Sequence, residues 1–198
     1  MKRIYLTLAL ALTIFALQSC GGGAMKDGKE TADSINEANT PEDMEDSLLT
    51  APVAVAESDA EFVTEAANGG MAEVELGQLA QQKAQNGEVK AFAEMMIKDH
   101  TKANEELKTL ADSKNITLPA AVASEQQQVK DKLTSKPASE FDKAYIADMV
   151  EDHEKDVKLF EDASKNLKDP DLKAFVDKTL PTLRNHLDHS KRLNGQLK

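Results

Sequence analysis

Phe92-Ala93-Glu94-Met95-Met96-Ile97-Lys98-Asp99-His100 decides the fold, because of where its histidine falls. Val89, Phe92, Ala93, Met96, His100, Ala103, Leu107 and Leu110 recur at steps of three and four, the period of one helix face. His100 therefore sits inside an apolar stripe, halfway along a long helix. Ile146, Met149, Val150, His153, Val157 and Phe160 form a second such stripe. Leu172, Phe175, Val176, Leu180, Leu183, His186 and Leu193 form a third. A polar ring on an inward face needs a partner, and three rings on three helices suggest a shared one.

The boundaries of these helices give the topology. Ser58-Asp59-Ala60-Glu61 reads as a capping box opening the first bundle helix. Phe62, Ala66, Gly70, Glu73, Leu76, Ala80 and Ala84 trace its inward face. Asn86-Gly87 breaks it, and the second helix runs from about Glu88 to Ser113, stopped by Asn115 and Pro119. A long connection follows, with a short helix over Ser124 to Leu133. Pro137-Ala138-Ser139 opens the third helix, which continues to about Lys165. Asp169-Pro170, a cap followed by proline at the first helical position, opens the fourth. Pro181 lies inside that helix and predicts a kink. Two short loops and one long crossover between helices two and three describe an all-α, ferritin-like antiparallel four-helix bundle over residues 58–198.

A weak internal repeat agrees. Val89-Lys90-Ala91-Phe92 and Leu172-Lys173-Ala174-Phe175 match at the starts of helices two and four. Registering Leu79 on Leu159 aligns helix one with helix three and sets Glu73 opposite His153.

Composition limits the function. The 198 residues carry a formal net charge of -11, which makes a phosphate backbone an unfavourable partner and speaks against nucleic acid. The single cysteine, Cys20, permits neither an intrachain disulfide nor a thiolate metal site. Met1-Lys2-Arg3 followed by the apolar run Ile4 to Leu17 reads as a secretory signal over residues 1–19, too short for a comfortable membrane span. Leu17-Gln18-Ser19-Cys20 resembles the bacterial lipobox, in which the cysteine is lipidated and becomes the new N-terminus. Cys20 is then a membrane anchor, since two acyl chains hold where one barely does. Glycine at position 21 resembles the sorting pattern of outer-membrane lipoproteins. The expected location is the cell envelope, at the outer membrane and facing the periplasm. Residues 20–57, with acidic stretches such as Pro41-Glu42-Asp43-Met44-Glu45-Asp46, read as a disordered tether, apart from a weak helical signal over 43–49.

Glu73, His100, His153 and His186 each lie near the middle of their own helix. At about 1.5 Å per residue, helices of similar length packed antiparallel bring their midpoints to one level. One inward carboxylate and three inward imidazoles form a ligand set for a divalent transition metal ion: Zn, Fe, Mn, Ni or Cu. Asp99, Glu75, Tyr145, Asp152 and His189 are candidates to orient a ring or add a ligand. His189 sits one turn past His186 but off the stripe. The competing reading is that each histidine is an ordinary core residue, hydrogen-bonded to a neighbour. Ile97 and Leu183 stand where Glu-x-x-His pairs would need glutamates, which disfavours a two-iron centre and leaves a mononuclear site or a metal-free polar core.

Gly70-Met71-Ala72-Glu73, Met96-Ile97-Lys98-Asp99-His100-Thr101, Phe141-Asp142-Lys143-Ala144-Tyr145, Asp152-His153-Glu154 and Leu180-Pro181-Thr182-Leu183-Arg184-Asn185-His186-Leu187 resemble the ferritin-like domain-of-unknown-function 4142 family of bacterial envelope proteins. The resemblance covers essentially everything after the tether. It implies a four-helix bundle in the envelope and brings no reaction with it. The residues favour a metal-binding envelope lipoprotein acting in sequestration, sensing or a modest redox role. The alternative is a non-catalytic structural or interaction module. Evidence for an enzyme is thin, since no nucleophile motif or glycine-rich phosphate loop is present.

Overall fold

A computed structural model describes residues 27–39 and 55–197. The signal segment, Cys20 and the weak helical signal over 43–49 lie outside the described residues. Six helices and no strands occur among those described: α1 (Gly28–Glu37), α2 (Glu57–Lys83), α3 (Gly87–Lys114), α4 (Ser124–Ser135), α5 (Ala138–Asn166) and α6 (Pro170–Gln196). No described helix is long and apolar enough to cross a membrane.

Helices α2, α3, α5 and α6 form the expected bundle. Two hairpins, α2–α3 and α5–α6, make the most extensive contacts, and α2 meets α5 as α3 meets α6. Two carboxylates, the buried Asp59 and the half-buried Asp142, fix their directions. Asp59, near the start of α2, accepts from the backbone N–H of Lys168 and of Asp169, the latter at 2.8 Å. Asp142, near the start of α5, accepts from Gln85 N–H and from Asn86 N–H, the latter at 2.7 Å. Each hairpin thus begins against the other's loop, which makes α2 and α5 antiparallel. The crossover must run the length of the bundle to connect them.

The caps follow the sequence at most boundaries. Asn86 Oδ1 accepts from Glu88 N–H at 2.7 Å, and Asp169 Oδ1 accepts from Asp171 and Leu172 N–H. Asn115 closes α3 in the left-handed region at φ 57°, with Ile116 N–H returning to Ala111 O at 2.9 Å, a Schellman closure. α6 continues as helix on both sides of Pro181.

Three expectations need correction. The capping box at Ser58 does not form. The cap is Ala56, two residues earlier, and Asp59 bonds the α5–α6 loop instead. The supposed tether contains α1. Asp27 caps it through Glu30 N–H, and the buried Asn36 exchanges two hydrogen bonds with the backbone of Thr117, at 2.7 and 2.9 Å. Side-chain-to-backbone pairing holds this polar segment, and a hydrophobicity argument does not see such bonds. The register of the repeat also changes. Lys83 and Asn166 end α2 and α5, Asn86 and Asp169 cap α3 and α6, and Asp59 and Asp142 make equivalent ties; each pair is separated by the same 83 residues. Val89 and Leu172 obey this spacing too. In that register the counterpart of Glu73 is Asp156, not His153.

The core has two halves. Phe62, Val63, Leu107, Phe160, Leu172, Phe175 and Leu183 belong to one apolar cluster. Leu76, Phe92, Met96, Phe141, Tyr145, Ile146 and Met149 belong to the other. Along every bundle helix the polar residues Glu73, His100, His153 and His186 fall between them.

Candidate metal centre

The four midpoint residues meet. Glu73, His100, His153 and His186 are 1%, 5%, 0% and 0% exposed, so bulk water does not reach them. The ring centroids of the three histidines lie 5.3, 5.4 and 5.7 Å apart. One ring nitrogen from each falls within 4.8 Å of the other two.

Each imidazole has one nitrogen occupied and the other bare. His153 Nδ1–H donates to the Met149 carbonyl at 2.9 Å, one turn up its own helix, so Nε2 is left with a lone pair. His186 Nε2–H donates to Asp99 Oδ2 at 3.1 Å, so Nδ1 is left with a lone pair. His100 Nδ1 lies 2.7 Å from Glu73 Oε2, and its Nε2 is unpartnered. Glu73 Oε1 is 3.2 Å from His153 Nε2 without the alignment of a hydrogen bond. Four buried atoms thus have no hydrogen-bond partner, Glu73 Oε1, His100 Nε2, His153 Nε2 and His186 Nδ1; the three ring nitrogens lie within 4.8 Å of one another, and Glu73 Oε1 lies 3.2 Å from that of His153. Unsatisfied buried polar atoms are costly, and each needs a physical explanation.

The electrostatics agree with that crowding. Burial lowers the His100 and His186 pKa values to about 4 and that of His153 to about 3, aided at His153 and His186 by the neighbouring rings. Burial raises Glu73 well above the ordinary carboxylate range, and Asp152 adds to the effect. Without an ion the layer is neutral: a carboxyl group and three imidazoles. A cation would displace the carboxyl proton, after which His100 Nδ1–H donates into Oε2 and Oε1 turns to the ion.

The remaining sequence candidates are dispersed. Asp99 holds His186 from across the α3–α6 contact and does not orient its neighbour His100. Tyr145 is buried, stacks on Phe141 and keeps a hydroxyl without a partner; burial raises its pKa. Asp152 faces a separate cavity of about 230 Å³ with Asp148, Lys132 and Lys155, and burial there raises its pKa to about 7. His189 packs edge-to-face with Phe92, ring centroids 5.3 Å apart, and is not among the grouped ligands. Glu75 pairs with Lys130 at 2.7 Å.

One residue escaped the sequence reading. Asp156, a turn beyond His153, offers a carboxylate oxygen within 4.8 Å of both Glu73 and His153. Its Oδ2 is buried without a partner, although the residue as a whole is partly exposed. The spacing His153-x-x-Asp156 carries this signal, as does the 83-residue register. A cavity of about 20 Å³ opens beside Glu73, His100 and Asp156, lined also by Asn104 and Thr179. Gly70 makes room there, since a Cβ would collide with the Asn104 amide.

Fold and site together define a ferritin-like four-helix bundle with a buried imidazole–carboxylate layer at its waist. The family model described as "Domain of unknown function (DUF4142)" matches residues 45–193, and the chain belongs to that family. No curated protein matches the sequence. Among solved structures, a DUF305 fragment from Deinococcus radiodurans is similar at a TM-score of 0.65 and 11% identity, covering 72% of this chain and 99% of that one. "CopM in the Cu(I)-bound form" is similar at 0.60 and 20% identity, covering 70% and 96%. "CopM in the Cu(II)-bound form" is similar at 0.61 and 19%, covering 71% and 97%. At these identities the likeness is one of fold.

Proposed function

We propose that this protein binds one transition metal ion at the centre of its bundle, through His100 Nε2, His153 Nε2, His186 Nδ1 and Glu73 Oε1. The observation that carries the reading is the convergence of three buried ring nitrogens that have no hydrogen-bond partner, with Glu73 Oε1 beside one of them. A Lewis acid satisfies all four at once. Ligand bonds of about 2.1 Å set tetrahedral ligand atoms about 3.4 Å apart, so the nitrogens have to close by about 1 Å. The opposite ring nitrogens are already fixed by Met149, Asp99 and Glu73, the arrangement that orients metal-bound imidazoles.

Imidazole and carboxylate ligands suit copper, zinc, nickel, iron or manganese. Copper is the first ion to test, because a protein of the same fold is described in Cu(I)-bound and Cu(II)-bound forms. The cavity of about 20 Å³ beside the layer admits a water molecule but no organic substrate. The role is therefore to hold an ion, in sequestration or sensing, and not to turn over a bulky molecule. We further propose that Cys20 anchors the protein by lipid at the outer membrane, facing the periplasm, on the strength of the signal-like segment before it.

Elemental analysis and calorimetric titration of the purified full chain test the metal reading. About one ion per chain is expected, lost in His100→Ala and His153→Ala. A wild-type chain that takes up none of the five metals leaves the layer a structural polar core. Release of a Cys20→Ser chain from the membrane fraction is the corresponding check of the anchor.

A further inference from the structure

We infer that Asp156 is a fifth ligand of the same ion, and that it makes the centre selective for divalent over monovalent metal. The inference rests on the metal reading above and adds a residue, a charge and a selectivity to it.

Two ligand groups are present, His100 with His153 and His186, and Glu73 with His153 and Asp156. They share His153. Its Nδ1 is committed to the Met149 carbonyl, so it has one lone pair to give, at Nε2. A single lone pair binds a single ion. Only one ion can therefore sit against His153, with His100 and His186 to one side of it and Glu73 and Asp156 to the other, and all of these side chains have to close on it.

Symmetry points to the same residue. The α2–α3 hairpin repeats as α5–α6 with a spacing of 83 residues, and Asp156 is the counterpart of Glu73 in that repeat. The pair faces the bundle centre from the antiparallel helices α2 and α5. Both carboxylates carry a buried oxygen without a partner, Glu73 Oε1 and Asp156 Oδ2. The Glu73 side chain is 2% exposed, so bulk water does not reach it. Neither oxygen has a cationic side chain to answer it among the described residues.

Charge decides what the pair is for. Three neutral imidazoles and one carboxylate leave a divalent ion with a net positive charge inside an apolar core, which is strongly unfavourable. Asp99 helps little, because its side chain is 31% exposed and screened by water. With Asp156 ionised as well, two carboxylates balance a divalent ion. A monovalent ion such as Cu(I) needs only one negative charge, so a second carboxylate gains it nothing. The pair thus favours M²⁺, while the three imidazoles alone suffice for Cu(I).

The test compares the full chain with Asp156→Asn and Asp156→Glu. Zn(II) and, under reducing conditions, Cu(I) are titrated against chromophoric chelators. Asp156→Asn is expected to weaken Zn(II) by about 10–100-fold and to change Cu(I) by less than about threefold. Asp156→Glu is expected to restore most of the Zn(II) affinity. Cu(II) electron paramagnetic resonance should still show three nitrogen ligands in Asp156→Asn, with an altered axial g value. Unchanged Zn(II) affinity in Asp156→Asn overturns the inference while leaving the metal site standing. An equal loss for both ions overturns it too, since that marks a residue needed only for folding. A wild-type chain that binds neither ion removes both readings together.

Discussion

Asp99 Oδ2 receives the Nε2 proton of His186 at 3.1 Å, joining α3 to α6 across 87 residues of sequence. The bond fixes the tautomer of His186 and points its bare Nδ1 into the layer. Asp99 neighbours His100 in sequence, yet it serves another helix's ring. Asp99→Asn keeps the shape and can still accept through its amide oxygen, but loses the charge that makes the ring a better donor. It should reduce metal affinity about 10–100-fold with little change in thermal stability of the apo chain. Competition titration alongside melting curves checks this, and an unchanged affinity would remove Asp99 from the site.

The layer's histidines should be a liability when no metal is bound. His153→Leu replaces a buried ring carrying an unanswered lone pair with an apolar side chain of similar volume. The apo variant is expected to melt no lower than the wild type, while the rise in melting temperature on adding metal disappears. A loss of more than about 2 kcal/mol in apo stability would instead favour the metal-free polar core.

Metal binding should release protons. Glu73 and Asp156 have pKa values raised well above the usual range by burial, so they are protonated in the apo core and ionised around a divalent ion. The histidines, near 4, 3 and 4, are already neutral at pH 7 and contribute no protons. Calorimetry in buffers of different ionisation enthalpy should report about one to two protons released per ion, and fewer in Glu73→Gln. Zero release at neutral pH would mean that neither carboxyl group joins the ion.

Apo stability should vary with pH in a direction these shifts fix. A carboxyl group with a raised folded pKa holds its proton better when folded, so stability falls as pH rises above the unfolded value. The histidines act oppositely: their lowered folded values mean that stability is lost as pH falls from 6.5 towards 4. Above 6.5 only the carboxyl groups, including Asp152 at about 7, remain in play. The apo chain should therefore be less stable at about pH 8.5 than at about pH 6.5, and a bound divalent ion should remove the share of Glu73 and Asp156 while leaving that of Asp152. Denaturant melts at the two pH values decide it.

Gly77 sets how closely α2 and α3 pack. A Cβ there would come 2.8 Å from Ile97 Cγ1 and 3.2 Å from the Ala93 carbonyl. Gly77→Ala should cost about 1–3 kcal/mol by forcing the two helices apart, despite alanine's better helix propensity. A stabilised variant would show that Ile97 yields without cost.

The bundle itself was legible because its cues are local. Three-and-four spacing, Asn86 and Asp169 as caps and Asn115 as a stop are properties of a few adjacent residues, and physical chemistry gives each one main reading. The midpoint rule placed Glu73, His100, His153 and His186 at one height for the same reason, since rise per residue is constant. Asp59 shows the limit. Its sequence fits a cap, but its carboxylate bonds backbone groups more than a hundred positions away. α1 shows it again, because the bonds between Asn36 and Thr117 exist only once the crossover lies alongside.

What the sequence by itself determined is which residues face inward and how far along each helix they sit. Tertiary structure alone decided which nitrogen of His100 and of His186 is bare, because that depends on Glu73 and Asp99 reaching those rings from other helices. It also decided that Asp156, in the true register of the repeat, stands beside Glu73 while Asp152 turns to another cavity. One turn of helix separates those two aspartates. Rotation about the helix axis, fixed only by packing against three neighbours, is what distinguishes them.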